Sequence, residues 1–131
     1  MFFDTLVGSE FATSGDGAAT VRLVLREEHH GPHGFVHGGV LCTLAHQSAG
    51  AAVYSRCTGG QEAVMLEMKI NFLGASWTGT LESRSAVVRQ GRSTAVVETR
   101  IAGDDGEPRA VATATFLILT RALRPPAQRG A

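Results

Sequence analysis

The sequence predicts an α+β domain in which a curved antiparallel sheet wraps around one long, buried helix. Two observations carry this prediction. Five segments alternate apolar and polar side chains with a period of two, as strands with one buried face do. One further segment, residues 38–55, has no charged side chain and is too long for a strand, so it is predicted as a helix.

The strand predicted at residues 64–72 shows the period of two most clearly. Its even-numbered positions are all apolar, whereas the charged side chains of Glu67 and Lys69 occupy odd-numbered positions. The even-numbered side chains are therefore expected on the buried face. Glycine-rich turns separate this strand from four others, which are predicted at residues 19–26, 79–89, 93–102 and 108–120.

Most of the circumference of the predicted helix carries apolar or small side chains, so the helix must be buried against the sheet. A rotation of about 100° per residue collects several positions into one polar arc. This arc contains Thr43, His46, Gln47, Gly50 and Tyr54. The rest of the circumference is filled with apolar or small side chains, which are Leu41, Leu44, Ala45, Ser48, Ala49, Ala52 and Val53.

Length and charge limit the classes of function. The 131 residues predict a single domain over residues 1–122, with a frayed tail at residues 123–131. Twelve basic residues balance twelve acidic ones, which excludes the basic surface of a nucleic-acid binder and argues against binding to anionic membranes. Two cysteines cannot form a disulfide framework, and the first residues do not resemble a signal peptide. A cytoplasmic protein is expected.

The turn His37-Gly38-Gly39 leads directly into the predicted helix. Two glycines at a helix N-terminus expose backbone N–H groups that suit a carbonyl oxygen or a developing oxyanion. The alternative interpretation is an ordinary tight turn before a helix. His46, on the polar arc, is the second candidate, as a general base facing a cleft. Its alternative role is a buried neutral histidine bonded to a neighbour such as Gln47.

Two other patterns are weaker. Four histidines, at positions 29, 30, 33 and 37, lie close together in the sequence, and histidine is a common metal ligand. The glycine–proline loop that carries them lacks the fixed spacing of a helical zinc motif, so no metal site is expected. Cys42 is not expected to act as a nucleophile, because its helix position lies outside the polar arc.

Residues 11–119 resemble the hot-dog-fold acyl-CoA thioesterases of the phenylacetate-degradation (PaaI) type. The resemblance rests on the turn at residues 37–39, Leu44, the strand at residues 66–73, Gly79 and the turn at residues 89–93. It implies a homodimer or homotetramer with active sites at the interface between subunits. Coenzyme A is then part of the substrate, and no separate cofactor is expected.

The resemblance also implies roles for individual residues. The N–H of Gly38 would polarise the thioester carbonyl, and His37 and Gly39 would form the turn that presents it. A later turn would approach the nucleotide or pantetheine part of coenzyme A. Its residues are Arg89, Gln90, Gly91, Arg92, Ser93 and Thr94. Arginine suits this role because guanidinium groups pair well with phosphates.

Three positions depart from the family pattern. His46 stands where the catalytic carboxylate is expected, Gly31 replaces a polar residue that is often asparagine, and Met65 replaces a serine. The resulting prediction is hydrolysis of an acyl- or aryl-CoA, with water activated by His46 and the carbonyl held by Gly38. Glu67 is a second candidate, either as the base or as a partner that orients His46.

Two other functions stay open. One is a non-catalytic protein that binds acyl-CoA after losing its carboxylate. The other is a hydratase or dehydratase of the same fold, which would pair a histidine with an acid, commonly on the helix. The absence of Asp and Glu between Glu28 and Glu62 counts against this last function.

Overall fold

The structure is a computed structural model that describes residues 2–120 and Pro125. The predicted boundary at residue 122 and most of the predicted tail lie outside the described residues. The elements are α1 (Phe3–Val7), β1 (Glu10–Gly15), β2 (Ala18–Val24), a 3₁₀ turn (Glu27–His29), α2 (Gly38–Tyr54), β3 (Glu62–Phe72), β4 (Thr80–Gln90), β5 (Thr94–Ala102) and β6 (Pro108–Leu119).

The six strands of the described chain form one antiparallel sheet in the order β1-β2-β4-β5-β6-β3. The helix α2 packs across one face of this sheet and contacts every strand. The predicted α+β architecture is therefore confirmed, with β1 and β3 as the two edge strands. This is the arrangement that the resemblance implies, a helix held by a sheet curved around it.

The helix α2 begins at Gly38 as predicted and ends one residue earlier than predicted, with Ser55 as its C-cap. Seven of its side chains are buried, and they are the seven apolar or small ones named above outside the polar arc. Leu44 packs in one core cluster with Leu81, and Ala52 in the other with Phe116. The small alanines bring the helix backbone close to the strands, which sets the depth of the groove described below.

Four hydroxyl groups are buried between α2 and the centre of the sheet. Ser48 Oγ lies 2.8 Å from Ser83 Oγ and 2.7 Å from Ser85 Oγ, and Ser85 Oγ lies 2.6 Å from Thr99 Oγ1. A buried hydroxyl costs free energy unless it is hydrogen-bonded, so the four groups satisfy one another. They join α2 to β4 and β5 at one defined position along the helix.

The strand β3 departs from its predicted alternation. Met65 pairs with Phe116 but Glu67 pairs with Thr115, so Leu66 is an extra residue in a β-bulge. Leu66 is 58% exposed, and its predicted place on the buried face is wrong. The bulge changes which side chains face the core. Ala63 and Met65 face it before the bulge, and Met68 and Ile70 face it after the bulge.

The short helix α1 was not predicted. It carries no fully buried side chain, and it is fixed through the carbonyl of its last residue, Val7. The Nε2–H of His29 donates to this carbonyl at 2.7 Å, and the Arg26 guanidinium donates to it at 3.1 Å. His29 is only 5% exposed, and its Nδ1 accepts the Arg26 backbone N–H at 2.9 Å. Nε2 of one buried histidine therefore holds α1, while its Nδ1 caps the 3₁₀ turn.

Candidate active site

The glycine turn at residues 37–39 forms the N-terminus of α2, with His37 as the N-cap. The Gly39 N–H donates to Nδ1 of His37 at 2.7 Å, so the imidazole closes the turn. The N–H of Gly38 has no acceptor among the described residues. An open donor therefore stands at the positive end of the longest helix.

The close packing of this turn explains its two glycines. A Cβ at Gly39 would lie 2.9 Å from Nδ1 of His37, which would displace the capping imidazole. A Cβ at Gly38 would lie 3.2 Å from the ring of Phe72 at the end of β3. Neither residue has a positive φ, so the limit is one of space: it is severe at Gly39, whereas at Gly38 the ring of Phe72, which is 53% exposed, would have to shift slightly.

The turn is also held from β6, through Arg109. The Arg109 Nε–H donates to Ser76 Oγ at 2.6 Å, and the carbonyl of Ser76 accepts the N–H of Val36 at 2.8 Å, directly before the turn. The guanidinium also donates to both carboxylate oxygens of Asp105 at 3.1 Å. These bonds lower the pKa of Asp105 below its usual value. A chain of polar contacts thus fixes the position of the Gly38 N–H.

His46 lies in a groove of about 660 Å³. The groove is bounded by α1, β1, α2, β3 and β6, and its walls are mostly apolar. Its lining residues are Phe3, Asp4, Phe11, His46, Gln47, Gly50, Ala51, Tyr54, Ala63, Val64, Met65 and Phe116. An apolar groove with few polar groups is typical of a site that binds a small organic molecule.

The two neighbouring polar side chains on α2 are free to bind a ligand. The ring of His46 is tilted by 40° against Phe116, with centroids 6.3 Å apart, and neither ring nitrogen has a hydrogen-bond partner among the described residues. The Oε1 atom of Gln47 is buried and has no donor. The hydrogen bond between His46 and Gln47, which was the alternative role for His46, is therefore absent.

Glu67 lies apart from His46 within one protomer. After the bulge, Glu67 and Lys69 alternate with Met68 and Ile70, which pack toward the core. The carboxylate therefore projects from the face of the sheet opposite α2. Glu67 is exposed and does not line the groove.

The predicted coenzyme A segment, Arg89–Thr94, forms the exposed turn between β4 and β5. The turn is closed by the Gly91 N–H, which donates to the Thr94 carbonyl at 2.9 Å. It lies toward the C-terminal end of α2, because Val87 bonds Gly17, which in turn bonds Ser55 Oγ. The glycine turn is at the other end of this 17-residue helix, about 25 Å away. One protomer does not bring the two turns together.

Gly38 and His46 are also separated within one protomer. They are eight residues apart on α2, a rise of about 12 Å. Phe3 of α1 lines the groove of His46 and also a second pocket, of about 370 Å³, beside His37 and Gly39. Phe3 is therefore common to both pockets, and Gly38 does not line the groove that contains His46.

Three of the other histidines bond to the backbone, and His33 stacks on Phe35 with ring centroids 5.8 Å apart. His30 Nε2 donates to the Trp77 carbonyl at 2.7 Å, in addition to the bonds of His29 and His37 described above. No three His, Cys, Asp or Glu side chains of residues 2–120 form a metal-binding group. Burial raises the pKa of Cys42, which keeps its thiol protonated and weakly nucleophilic. Within the described residues no helix is long and apolar enough to span a membrane.

Sequence reasoning missed Asp4 and Phe3 as groove residues, and it did not include Gln47 in the site. A five-residue helix is too short to show a helical period, so nothing marked α1. Gln47 did carry a signal, because it lies beside His46 on the polar arc. The sequence could not show that the buried Oε1 of Gln47 lacks a hydrogen-bond donor among the described residues.

Comparisons with known proteins identify the family of the chain. Residues 33–110 match the family model of the thioesterase superfamily. The chain is 31% identical over 121 residues to a protein named as an esterase, PA1618, of Pseudomonas aeruginosa, which covers 91% of this chain and 83% of that protein. It is 30% identical over 95 residues to the 1,4-dihydroxy-2-naphthoyl-CoA hydrolase of Listeria monocytogenes, over 72% of this chain and 77% of that protein.

Two solved structures are also similar. A hypothetical thioesterase protein of Streptococcus pneumoniae, solved with coenzyme A, superposes with a TM-score of 0.79 at 30% identity, over 87% of this chain and 88% of that chain. The PaaI protein of Escherichia coli shares the fold, with a TM-score of 0.85 at 24% identity over 92% and 86% of the two chains. The chain therefore belongs to the thioesterase superfamily, a family of hydrolases with the hot-dog fold.

Proposed function

We propose that this protein hydrolyses acyl-CoA thioesters, including aryl-CoA thioesters, in the groove that contains His46. The observation that carries the proposal is an unpaired imidazole in an apolar groove, in a fold that also presents an open N–H at Gly38. The named activity of the Listeria relative and the coenzyme A in the Streptococcus structure support this substrate class.

The proposed reaction uses three groups of this chain. The Gly38 N–H donates to the carbonyl oxygen of the thioester, and neutral His46 accepts a proton from a water molecule. The hydroxide attacks the carbonyl carbon, and the tetrahedral intermediate collapses with loss of the coenzyme A thiolate. The imidazolium returns its proton to that thiolate, giving a carboxylic acid and free coenzyme A. The open Oε1 of Gln47 offers an acceptor for the second hydrogen of the attacking water.

The active form in this proposal is a homodimer, whether or not two dimers then pair into a tetramer. Gly38 and His46 are two helical turns apart and Gly38 does not line the His46 groove, so Gly38 of one protomer and His46 of the other would act on the same carbonyl. The edge strand β3 offers the surface for such a dimer. It is 11 residues long, and Leu66, Phe72 and Leu73 at or beside it are exposed.

The same arrangement gives the turn between β4 and β5 its proposed role. Since this turn is far from Gly38 of its own protomer, it would bind the coenzyme A moiety at a site shared between subunits. Arg89 and Arg92 would pair with the phosphates, and the exposed backbone of the turn would follow the chain of the ligand. The cytoplasmic location expected from the sequence belongs to this proposal, since both cysteines are free thiols.

One observation favours a second function. His46 stands where the family has a carboxylate, and no Asp or Glu of α2 replaces it. A protein with this groove could therefore bind acyl-CoA without cleaving it. The two functions differ in whether bound thioester is converted to free thiol.

The experiment is a measurement of thiol release by the purified protein. The substrates are phenylacetyl-CoA, hydroxybenzoyl-CoA, and short- and medium-chain acyl-CoAs. Hydrolysis by the native protein, reduced at least a hundredfold in His46→Ala, is the expected result. If the native protein binds these ligands in calorimetry without releasing thiol, and His46→Asp gains turnover, the protein belongs to the binding class. Turnover that is unchanged in His46→Ala would remove His46 from the mechanism.

A further inference from the structure

We infer that Asp4 supplies the carboxylate that the helix α2 lacks, as a positioning residue that acts through His46. This inference rests on the proposed hydrolysis of acyl-CoA. Asp4 lines the same groove as His46 and Gln47, although it comes from α1 and is 42 residues away in the sequence.

Asp4 is the only Asp or Glu among the described residues that line this groove. The residues outside the described part of the chain contain no Asp or Glu side chain at all. Within one protomer, therefore, no other acidic side chain can act in the groove. Glu67, the acidic candidate from the sequence, projects from the opposite face of the sheet.

The position of Asp4 is fixed by contacts at the far end of α1. The carbonyl of Asp4 accepts the Gly8 N–H at 2.8 Å, which closes the helix. The carbonyl of Val7 accepts bonds from buried His29 and from Arg26. The helix carries Phe3 and Asp4 to the rim of the groove, where Phe3 separates it from the pocket beside His37.

Charge balance gives Asp4 its role. When His46 takes a proton from water, a positive imidazolium forms in a mostly apolar groove. A carboxylate on the same groove stabilises this imidazolium and the transition state that leads to it. Asp4 gains no proton and forms no bond at any step, and the imidazolium still returns its proton to the departing thiolate. The carboxylate contributes charge and orientation, and His46 carries the proton.

The test measures kcat and KM for the best acyl-CoA substrate in Asp4→Asn, Asp4→Glu, His46→Ala and the double variant. We expect kcat to fall about tenfold or more in Asp4→Asn, with KM unchanged and with most of the loss restored by Asp4→Glu. In the His46→Ala background, Asp4→Asn should cause no further loss, because the carboxylate then has no imidazolium to stabilise.

Two control variants separate this role from a general effect of lost charge. Glu10→Gln removes a carboxylate at the start of β1, and Asp16→Asn removes a carboxylate between β1 and β2; neither residue lines the groove. Both should keep kcat within about twofold of the native protein. The inference is overturned if Asp4→Asn is as active as the native protein, if Glu10→Gln loses as much kcat as Asp4→Asn, or if the losses of Asp4→Asn and His46→Ala simply multiply.

The proposed function is tested by different variants of the same set. Its failure appears as an inactive native protein or as a fully active His46→Ala. If hydrolysis depends on His46 but not on Asp4, the proposed function stands and only the role of Asp4 is rejected. A native protein that releases no thiol from any substrate rejects both.

Discussion

At the scale of single residues, the glycine turn depends on one missing side chain. Gly39 lies so close to the imidazole of His37 that any Cβ would enter the space of its capping nitrogen. The cap in turn holds the open N–H of Gly38 at the end of α2. One glycine therefore supports both the stability of the helix and the chemistry proposed for its N-terminus.

Two alanine substitutions in α2 should change stability in opposite directions. Gly39→Ala should lower the free energy of unfolding by about 1–2 kcal/mol, because the helix loses its cap. Gly50→Ala should raise it by about 0.5–1 kcal/mol, since a Cβ there meets only the Phe116 ring at 3.9 Å and helical alanine is favoured. Urea unfolding of both variants gives the comparison. Equal destabilisation by both would contradict the close contact at Gly39.

At the scale of elements, contacts between strands decide how stability depends on pH. Arg22 of β2 donates to the Glu82 carboxylate of β4 at 2.7 Å, and Arg84 pairs with the same group. The hydrogen bond from Arg22, more than any other contact, lowers the pKa of Glu82. The ionised carboxylate therefore stabilises the fold, and this contribution disappears when Glu82 is protonated.

This ion pair predicts a loss of stability in acid. The contribution of Glu82 is complete above about pH 4.5, its usual pKa, and is lost as the pH falls through the lower value of the folded state. Glu82→Gln should reduce the unfolding free energy at pH 7 by under about 1 kcal/mol, and the deficit should vanish at low pH. Glu98→Gln, on the neighbouring strand without an ion pair in the described residues, is the control. A deficit that persists in acid would refute this account.

The buried hydroxyl groups give a second prediction for the elements. Ser85 connects Ser48 of α2 with Thr99 of β5, so Ser85→Ala leaves both hydroxyls short of a partner. The free energy of unfolding should fall by about 1–3 kcal/mol. Thermal unfolding, with the exposed Ser93→Ala as control, measures the effect. A loss no larger than that of Ser93→Ala would mean that this network contributes little.

Long elements were predictable from the sequence, and short or irregular ones were not. The buried side of α2 followed from seven side chains with a helical period, and the strands followed from their alternation. The bulge at Leu66 was not predictable, because an apolar residue fits the alternation whether or not the strand is regular. Asp4 lines the His46 groove because α1 carries it there and because the contacts of His29 hold α1. These contacts join residues that are far apart in the sequence. Which side chains face each other across the site is a property of the folded chain.

At the scale of the whole molecule, the proposed mechanism depends on a second copy of the chain, because its groups are separated within one protomer. Within one protomer, the N-terminal turn of α2, the His46 groove and the turn between β4 and β5 lie at successive levels along the helix. The free edge of β3 is the surface through which two copies would combine them. The proposed activity and the proposed dimer should therefore be lost together.

A charge on the edge strand should separate the subunits. Leu66→Lys should shift the mass in light scattering to the 13.8 kDa of one chain, and thiol release should fall by at least tenfold. Val88→Lys is a matched control, because Val88 is also a bulge residue with 58% exposure but lies on the interior strand β4. It should leave the mass unchanged. A Leu66→Lys protein that is monomeric and fully active would show that one protomer suffices.

The bulge in β3 has one more consequence. Before Leu66 the odd-numbered side chains face α2, and after it the even-numbered side chains do. Deleting Leu66 would give the whole strand one regular alternation. Either Ala63 and Met65 would turn away from the groove, or Glu67 and Lys69 would turn into the core. The wall of the groove is therefore specified by the number of residues in the strand as much as by their chemistry, and relatives that differ in length at this point would differ in the shape of the groove.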